Sequence, residues 1–274
     1  MKVALIAGYG KLPVIAYNSL LGLEKDFIVI TLDEEFNQTI NSSTVKIYSL
    51  SVGQVGKILD TLKKENVTDV IFAGKVNKSL LYNNLKLDMK AVKMLFSLKD
   101  RNDDTIMNAV VDELKKIGIN VLKQTDILKE LLAEKGMLIG KRPKDSELKD
   151  ICYGFKIAKE LGRLDIGQTV VVKRKAVMAL EAIEGTDEAI VRGLRFAKKS
   201  GIVVKVAKPD QDERFDVPTV GVDTLKKIAD NNGRLLAIEA GRTFVVDKKE
   251  CEEYAKKKGI TILAVDESMC KGDR

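Results

Sequence analysis

The stretch Val3–Pro13, which reads VALIAGYGKLP, decides the fold of the N-terminal half. Its first five residues are apolar without interruption, as in a strand that is buried on both faces. Glycines follow at positions 8 and 10, and a helical pattern then runs to about Gly22. Pro13 suits the first turn of that helix, because its missing N–H would be unpaired there anyway. Strand, glycine turn and helix in this order predict the start of a Rossmann-like unit, whose helix N-terminus favours an anion.

Further apolar runs continue this pattern outward along the chain. Strands are predicted over 27–32, 45–50, 69–73 and 119–122. Three glycine-containing turns, at 8–10, 53–56 and 74, should then lie side by side at the carboxyl edge of one parallel sheet. Ligands of open α/β sheets bind at that edge, so these turns predict a crevice of the size of a nucleotide.

The domain organisation follows from a change of composition in the middle of the chain. Residues 135–145, KGMLIGKRPKD, carry two glycines, a proline and dense charge, which is typical of a linker. We therefore predict an α/β protein with a Rossmann-like parallel-sheet domain over 1–134 and an α/β domain with a mixed sheet over 146–274. Within the second domain, two strand pairs are predicted as hairpins, 169–172 with 176–183 and 235–239 with 243–246.

Missing residue types restrict the chemistry. The 274 residues include no histidine and no tryptophan. The Ser-His-Asp triad, histidine zinc sites and imidazole acid/base catalysis are thereby excluded, and little material remains for stacking on nucleobases. Three widely spaced cysteines predict neither a disulfide framework nor a zinc cluster, and favour the reducing cytoplasm. The net charge of +7 comes from lysines scattered on helical faces, which favours a solvated surface first, an anionic membrane second and nucleic acid last.

The stretch Lys205–Gly221, KVAKPDQDERFDVPTVG, is the strongest candidate for chemistry. It places four acids among three cations in a loop between a strand and a helix. Carboxylates hold a hard cation such as Mg²⁺, while Lys and Arg neutralise phosphate, so this composition fits phosphate-ester or pyrophosphate chemistry. The alternative reading is a solvated, proline-containing turn. The acids are Asp210, Asp212, Glu213 and Asp216, and the cations are Lys205, Lys208 and Arg214.

A second candidate lies at the end of the strand predicted over 176–183. Thr186 is predicted as the N-cap of the following helix, so that Gly185 and Thr186 could offer N–H groups to an anion. Glu181 and Glu184 would point into the same crevice. The alternative is an ordinary capped helix whose acids favour its dipole.

Two other functions stay open at this stage. An NAD(P)-dependent oxidoreductase is favoured by Gly8 and Gly10 together with Asp33, which follows the second strand where a ribose-binding acid would stand. Pro13 replaces the third glycine of that fingerprint, and the acid-rich loop has no part in this reading. The other possibility is a protein that binds a nucleotide sugar without catalysis.

Five motifs resemble one known family. They are AGYGKLP (7–13), FAGKV (72–76), ELGRLDIGQTVVV (160–172), ALEAIEGTDEAI (179–190) and VVKVAKPDQDERFDVPTVG (203–221). In this order they are similar to the histidine-poor UDP-2,3-diacylglucosamine pyrophosphatases of the lipid A pathway. The resemblance implies a cytoplasmic enzyme at the inner face of the inner membrane that forms a homodimer and has no nucleic-acid partner. It implies Mg²⁺-dependent hydrolysis of UDP-2,3-diacylglucosamine to UMP and 2,3-diacylglucosamine 1-phosphate, with water attacking the α-phosphate.

The resemblance also implies roles for residues of this sequence. Asp216, in FDVPTVG, is expected to be required for activity and to bind Mg²⁺ or position the water. The residues themselves, in a chain without histidine, predict Asp212 and Glu184 as second candidates beside Asp216 for catalysis, with Asp212 also a candidate metal ligand. Lys208 and Arg214 are expected to contact the diphosphate. The predicted substrate-binding residues are Gly8, Gly10, Lys11, Leu12, Pro13, Gly74, Lys75, Asp165, Gln168, Gly185, Thr186, Asp187, Lys208, Arg214 and Thr219.

Overall fold

The protein consists of two compact units. The structure, a computed structural model, describes residues 2–32, 36, 39–40, 44–76, 87–98 and 103–271. The first unit comprises Met1–Lys129 together with Glu213–Phe215, and the second comprises Glu130–Asp212 and Asp216–Arg274. Residues 135–145, predicted as the linker, fall within the second unit and include a strand of its main sheet. None of the helices within the described residues is both long enough and apolar enough to span a membrane.

The first unit contains a five-stranded sheet in the order β3-β2-β1-β4-β5, with every neighbouring pair parallel. This is the strand order of a Rossmann-like fold, and it reverses between β1 and β4. The predicted parallel-sheet domain is therefore confirmed. The strands are β1 (Lys2–Ala7), β2 (Asp26–Thr31), β3 (Ile47–Ser49), β4 (Asp69–Ala73) and β5 (Asn120–Val121). The helices are α1 (Lys11–Gly22), α2 (Val55–Lys64), α3 (Met89–Ser97), α4 (Asp103–Lys116) and α5 (Gln124–Ile127).

The second unit is built on a six-stranded sheet in the order β6-β13-β11-β9-β7-β8. Strands β13, β11 and β9 are parallel, whereas β6, β7 and β8 pair antiparallel, which confirms the mixed sheet. The strands of this sheet are β6 (Leu138–Ile139), β7 (Thr169–Lys173), β8 (Ala176–Leu180), β9 (Ile202–Lys205), β11 (Leu235–Glu239) and β13 (Thr261–Val265). Strands β10 (Thr219–Val220) and β12 (Phe244–Val245) form a separate two-stranded sheet. The helices are α6 (Asp145–Arg163), α7 (Thr186–Ala197), α8 (Val222–Asp230) and α9 (Lys248–Lys258), and short 3₁₀ turns lie at Lys129–Leu131 and Glu267–Cys270.

Alternation along the strands of this sheet separates two apolar cores. Val170 and Val172 point to the side of α6, where they pack in one cluster with Phe155. Val171 points to the other side and belongs to a cluster with Ile190 of α7. Because the strands are buried on both faces, they read in sequence as continuous apolar runs.

One predicted hairpin is present and the other is not. Strands β7 and β8 pair antiparallel through a turn at Arg174 and Lys175, which have φ of 50° and 55°. The carboxylate of Asp150 accepts both of their N–H groups, each at 2.7 Å. The predicted second hairpin is wrong. Strand β11 pairs with β9 and β13, whereas β12 pairs with β10, because the glycine turn at 240–242 leads the chain out of the main sheet.

The cysteine prediction is also wrong in part. Cys152 of α6 forms a disulfide with Cys270, and their Cα atoms are 5.1 Å apart. The two residues are 118 positions apart, so only the return of the C-terminal segment to α6 brings them together. Cys251 lies outside this disulfide and is buried in the core of the second unit.

Candidate active site

In the first unit, the glycine turns after β1 and β4 are paired with each other. The amide of Tyr9 donates to the carbonyl of Lys75 at 2.8 Å, and the amide of Lys75 donates back to the carbonyl of Tyr9 at 3.0 Å. A Cβ atom on Gly8 would lie 2.3 Å from that Lys75 carbonyl oxygen, and one on Gly74 would lie 2.5 Å from a ring carbon of Pro13. Two backbone segments approach so closely here that only glycine fits.

These two turns gather one group of predicted binding residues at the carboxyl ends of β1 and β4. The strand order reverses between these strands, which is where sheets of this kind bind ligands. Gly10, with φ of 103°, is the N-cap of α1, and Lys11 begins that helix. The group consists of Gly8, Gly10, Lys11, Leu12, Pro13, Gly74 and Lys75.

The third glycine turn also follows a parallel strand at the carboxyl edge of this sheet, as predicted, but it is not adjacent to the other two, so the side-by-side placement is wrong for this turn. Strand β2 separates β3, which precedes the turn at 53–56, from β1. At the start of α2, the carboxylate of Asp88 accepts the amide of Gly56 at 2.7 Å. The N–H group that a ligand would need there is thus bound by the protein itself. Asp33, the acid of the NAD(P) reading, lies outside the described residues.

The segment 206–218 between β9 and β10 is here called the acid loop; residues 206–212 and 216–218 belong to the second unit and residues 213–215 to the first. Its first residues are held by a partly buried ion pair. The carboxylate of Glu239, at the end of β11, accepts the amide of Ala207 at 2.8 Å and binds the ammonium group of Lys159 at 3.0 Å. Lys159 also donates to the carbonyl of Ala207 at 2.9 Å. Both backbone polar groups of Ala207 are therefore fixed by side chains of other elements.

Asp216 lies at the other end of the acid loop and is held from within the loop. Its amide donates to the carbonyl of Asp212 at 2.9 Å, which closes one turn of backbone and brings the two predicted metal ligands close in space. The side-chain amide of Gln211 donates to the Oδ2 atom of Asp216. The guanidinium of Arg242 donates to the carbonyls of Lys208 and Pro209 at 3.2 and 3.3 Å.

The two cations predicted to contact the diphosphate lie in different units. Lys208 belongs to the second unit, where its ammonium group binds the Oδ1 atom of Asp165 at 2.6 Å. Arg214 belongs to the first unit and donates to the side chain of Asn108 at 3.1 Å. Its neighbour Glu213 binds the ammonium group of Lys123 at 3.0 Å.

A chain of polar side chains follows the edge of the sheet beside the acid loop. The hydroxyl of Thr186 donates to the buried carboxylate of Glu181 at 2.8 Å. Lys205 is 9% exposed. Its ammonium group lies 3.5 Å from that hydroxyl and 3.5 Å from the carbonyl of Thr219. These contacts bring two predicted binding residues, Thr186 and Thr219, to one buried cation.

Gln168 stands at the start of this chain. Its amide donates to Glu181 at 3.3 Å, and its carbonyl accepts the amide of Val206. Its side-chain oxygen is buried, and no donor among the described residues reaches it. A buried acceptor of this kind is normally satisfied by water or a ligand.

The start of α7 differs from its predicted form. Gly185, with φ of 82°, is the N-cap, and Thr186 is the first helical residue. The prediction of a threonine cap is wrong because the Thr186 hydroxyl is bound to Glu181. Asp187 is an exposed acid in the first turn. Glu184 binds the guanidinium of Arg192, which holds the pKa of the Glu184 carboxyl below its usual range.

The acid loop supplies carboxylates of the kind that bind Mg²⁺. Mg²⁺ is commonly held by one or two carboxylates together with substrate phosphates and water. Asp212 and Asp216 offer two such carboxylates, and one hydrogen bond joins their backbones. Within the residues that the structure describes, no group of three or more Cys, Asp or Glu side chains is arranged to hold a metal by itself.

Three residues that fix the acid loop were missed by the sequence reading. Lys159, Glu239 and Arg242 bind the backbone of residues 207–209 from elements that are about 30 to 50 positions away. Gln211 lies inside the quoted stretch, but its uncharged side chain gave no signal among the acids.

Both halves of the chain match domain models of one family. The LpxI N-terminal domain matches residues 2–131, and the LpxI C-terminal domain matches residues 134–263. The chain belongs to the LpxI family. Among curated proteins, it is similar to the UDP-2,3-diacylglucosamine pyrophosphatase LpxI of Caulobacter vibrioides, with 32% identity over 277 residues, 97% of this chain and 98% of the relative. The family resemblance inferred from the motifs is confirmed, and the two LpxI domain models meet between residues 131 and 134.

Proposed function

We propose that the protein hydrolyses UDP-2,3-diacylglucosamine to UMP and 2,3-diacylglucosamine 1-phosphate. The observation that carries this proposal is the position of Asp216, a carboxylate held by Gln211 and by the backbone of Asp212 in the acid loop. A fixed carboxylate can orient a water molecule and accept its proton, which is the task that histidine performs in other hydrolases. Membership of the LpxI family supports the choice of substrate.

In this proposal Asp216 positions the attacking water, with Asp212 as its partner. Mg²⁺ would be held by Asp216 and Asp212, where it would neutralise charge on the diphosphate. Lys208 and Arg214 are proposed to bind the diphosphate oxygens. Glu184 is the weakest of the three catalytic candidates, because its carboxylate is engaged by Arg192.

Substrate binding is proposed for two groups of residues. In the second unit these are Asp165, Gln168, Gly185, Thr186, Asp187 and Thr219. The unpartnered oxygen of Gln168 supports this assignment most directly. In the first unit they are the residues of the two paired glycine turns, whose position at the reversal of strand order supports binding of the nucleotide portion. Peripheral attachment to the cytoplasmic face of the inner membrane and a homodimeric state are part of the same proposal.

Hydrolysis in water enriched in ¹⁸O tests both the reaction and the phosphorus that is attacked. The purified protein is incubated with UDP-2,3-diacylglucosamine and Mg²⁺, and both products are analysed by mass spectrometry. Attack on the α-phosphate places the label in UMP. Label in the sugar 1-phosphate would contradict attack at that position, and absence of UMP release would contradict the enzymatic proposal.

The same incubation separates the two alternatives. A non-catalytic binding protein would bind the nucleotide sugar and release no UMP. An oxidoreductase would bind NAD(P) tightly and leave the diphosphate intact. The Rossmann-like strand order by itself is compatible with either ligand, since fold does not determine function.

A further inference from the structure

Gln211 spans the acid loop from one end to the other. Its side chain is 9% exposed, and both ends of its amide group are engaged. The Oε1 atom accepts the backbone amide of Lys208 at 3.0 Å, and the Nε2 atom donates to Oδ2 of Asp216. The backbone amide of Gln211 itself donates to the carbonyl of Lys208 at 3.1 Å. Gln211 therefore connects the first turn of the loop to the carboxylate at its far end.

The orientation of this amide is fixed by chemistry. A backbone N–H can only donate, so the contact with Lys208 requires the oxygen of Gln211 to face that residue. The NH₂ group must then face Asp216, and NH₂ can only donate. The side chain at position 211 thus demands an acceptor from Asp216 and fixes the rotation of its carboxylate.

The backbone to which Gln211 is attached is itself held. Arg242 donates to the carbonyls of Lys208 and Pro209, while Glu239 and Lys159 hold the peptide group of Ala207. A hydrogen bond from a fixed residue restricts its partner more than one from a mobile side chain, since less conformational freedom remains to be lost. Restraint therefore passes from β11 and α6 through Gln211 to Asp216.

We propose that Gln211 is the positioning residue that holds Asp216 in its working orientation. This inference rests on the proposed function of Asp216. Displacement of a reacting group by about 1 Å can cost on the order of a hundredfold in rate. We therefore expect loss of the Gln211 contact to lower kcat by about 10- to 100-fold with little change in KM, because Gln211 acts through Asp216.

Three variants separate the parts of this role. Gln211→Met keeps the size of the side chain and removes both hydrogen bonds. Gln211→Glu keeps an acceptor for Lys208 but presents a carboxylate to Asp216 in place of a donor. Gln211→Asn keeps the amide on a shorter side chain. Asn231→Asp is the matched control, because its side-chain amide lies in the same unit and donates only to the carbonyl of Lys227 among the described contacts.

The experiment measures kcat and KM for UMP release, together with the melting temperature, for these variants, wild type and Asp216→Asn. We expect kcat to fall in Gln211→Met and Gln211→Glu, with Gln211→Asn recovering part of it and Asn231→Asp unchanged. Wild-type kcat in Gln211→Met would overturn the inference, and so would a loss that appears in KM alone. An inactive wild type, or an Asp216→Asn variant of normal activity, would instead overturn the proposed function.

A double-variant measurement separates positioning from a general effect on the fold. Gln211→Met is combined with Asp216→Asn, and residual hydrolysis is measured at high enzyme concentration. If Gln211 acts through Asp216, adding Gln211→Met to Asp216→Asn lowers the rate of hydrolysis by less than about a further threefold. If Gln211→Met lowers the rate as much in the Asp216→Asn background as in wild type, the inference is overturned.

Discussion

The two units build their sheet edges in different ways. At the edge of the first unit, backbone meets backbone, and the glycine turns leave no room for a Cβ atom at Gly8 or Gly74. At the edge of the second unit, charged side chains of Lys159, Glu239 and Arg242 hold the backbone of the acid loop. Close approach of two backbone segments forms the first edge, whereas hydrogen bonds from charged side chains to the backbone form the second.

This difference explains which chemistry each edge can perform. A backbone turn offers N–H groups and space, which suit the binding of an anion or a ribose. A loop fixed by side chains can hold carboxylates in one geometry, as proton transfer and metal binding require. This difference supports the proposal that the acid loop carries the chemistry and that the glycine turns bind the nucleotide portion.

The largest effect on stability is expected from breaking the ion pair beneath the acid loop. Glu239→Ala leaves the ammonium group of Lys159 without its carboxylate in a mostly buried position, and leaves the amide of Ala207 unpaired. Removal of one partner of such a pair costs about 3 kcal/mol. Urea unfolding should show this loss, and UMP release should fall with it.

Glu239→Gln is the control for that prediction. The glutamine keeps an acceptor for the Ala207 amide and loses only the charge, so its stability should lie between that of wild type and Glu239→Ala. An unfolding free energy of Glu239→Ala equal to that of wild type would contradict the role of this pair.

A smaller loss is expected at the edge of the first unit. Gly8→Ala would place its Cβ atom 2.3 Å from the carbonyl oxygen of Lys75, so the paired turns would have to separate. Crowding of this kind typically costs about 2 kcal/mol. Gly22→Ala is the matched control, since a Cβ atom at that helical position meets nothing within 4 Å.

The two glycine changes are expected to shift stability in opposite directions. Gly22→Ala should be neutral or stabilising by a few tenths of a kcal/mol, because alanine restricts the unfolded chain. Differential scanning calorimetry of the two variants checks both signs. Equal melting temperatures would show that close backbone approach does not determine the first edge.

An effect that depends on pH is expected from acid titration in the first unit. Glu65 accepts hydrogen bonds from Lys2 at 2.8 Å, Tyr48 at 2.6 Å and Lys46 at 3.1 Å. These donors, the Lys2 ammonium first, hold the pKa of the Glu65 carboxyl at about 2, below its ordinary value of 4.5. A carboxyl whose pKa is lowered on folding stabilises the protein above its ordinary pKa, and this contribution is lost as the pH falls toward about 2.

Unfolding of wild type and Glu65→Gln at a series of pH values tests this assignment. The difference in stability should be constant above about pH 5.5 and should shrink as the pH is lowered. Glu160→Gln, which changes an exposed carboxylate, is the control. A difference that does not depend on pH would show that Glu65 acts through packing.

Local features of the sequence predicted the first edge well. Apolar runs and glycine positions determine the strands and turns, and close contacts between neighbouring strands follow from their order. The turn at 53–56 was placed beside the other two because the apolar runs do not reveal the strand order, in which β2 separates β3 from β1.

The second edge was only partly accessible from sequence. The density of acids marked the acid loop, and the family motifs marked Asp216. Its supporting residues Lys159 and Glu239 are ordinary charged positions until the sheet brings them to Ala207. Thr186 reads as a helix cap, and only the buried position of Glu181 shows that its hydroxyl is bound elsewhere.

The most direct test of the central claim is a comparison of binding and turnover in Asp216→Asn. The variant keeps the size of the side chain and removes its charge. We predict saturable binding of UDP-2,3-diacylglucosamine, a normal melting temperature, and UMP release below about one-tenth of the wild-type rate, because loss of a central catalytic group costs more than tenfold. Retention of more than about one-tenth of wild-type turnover would contradict the assignment of the chemistry to Asp216.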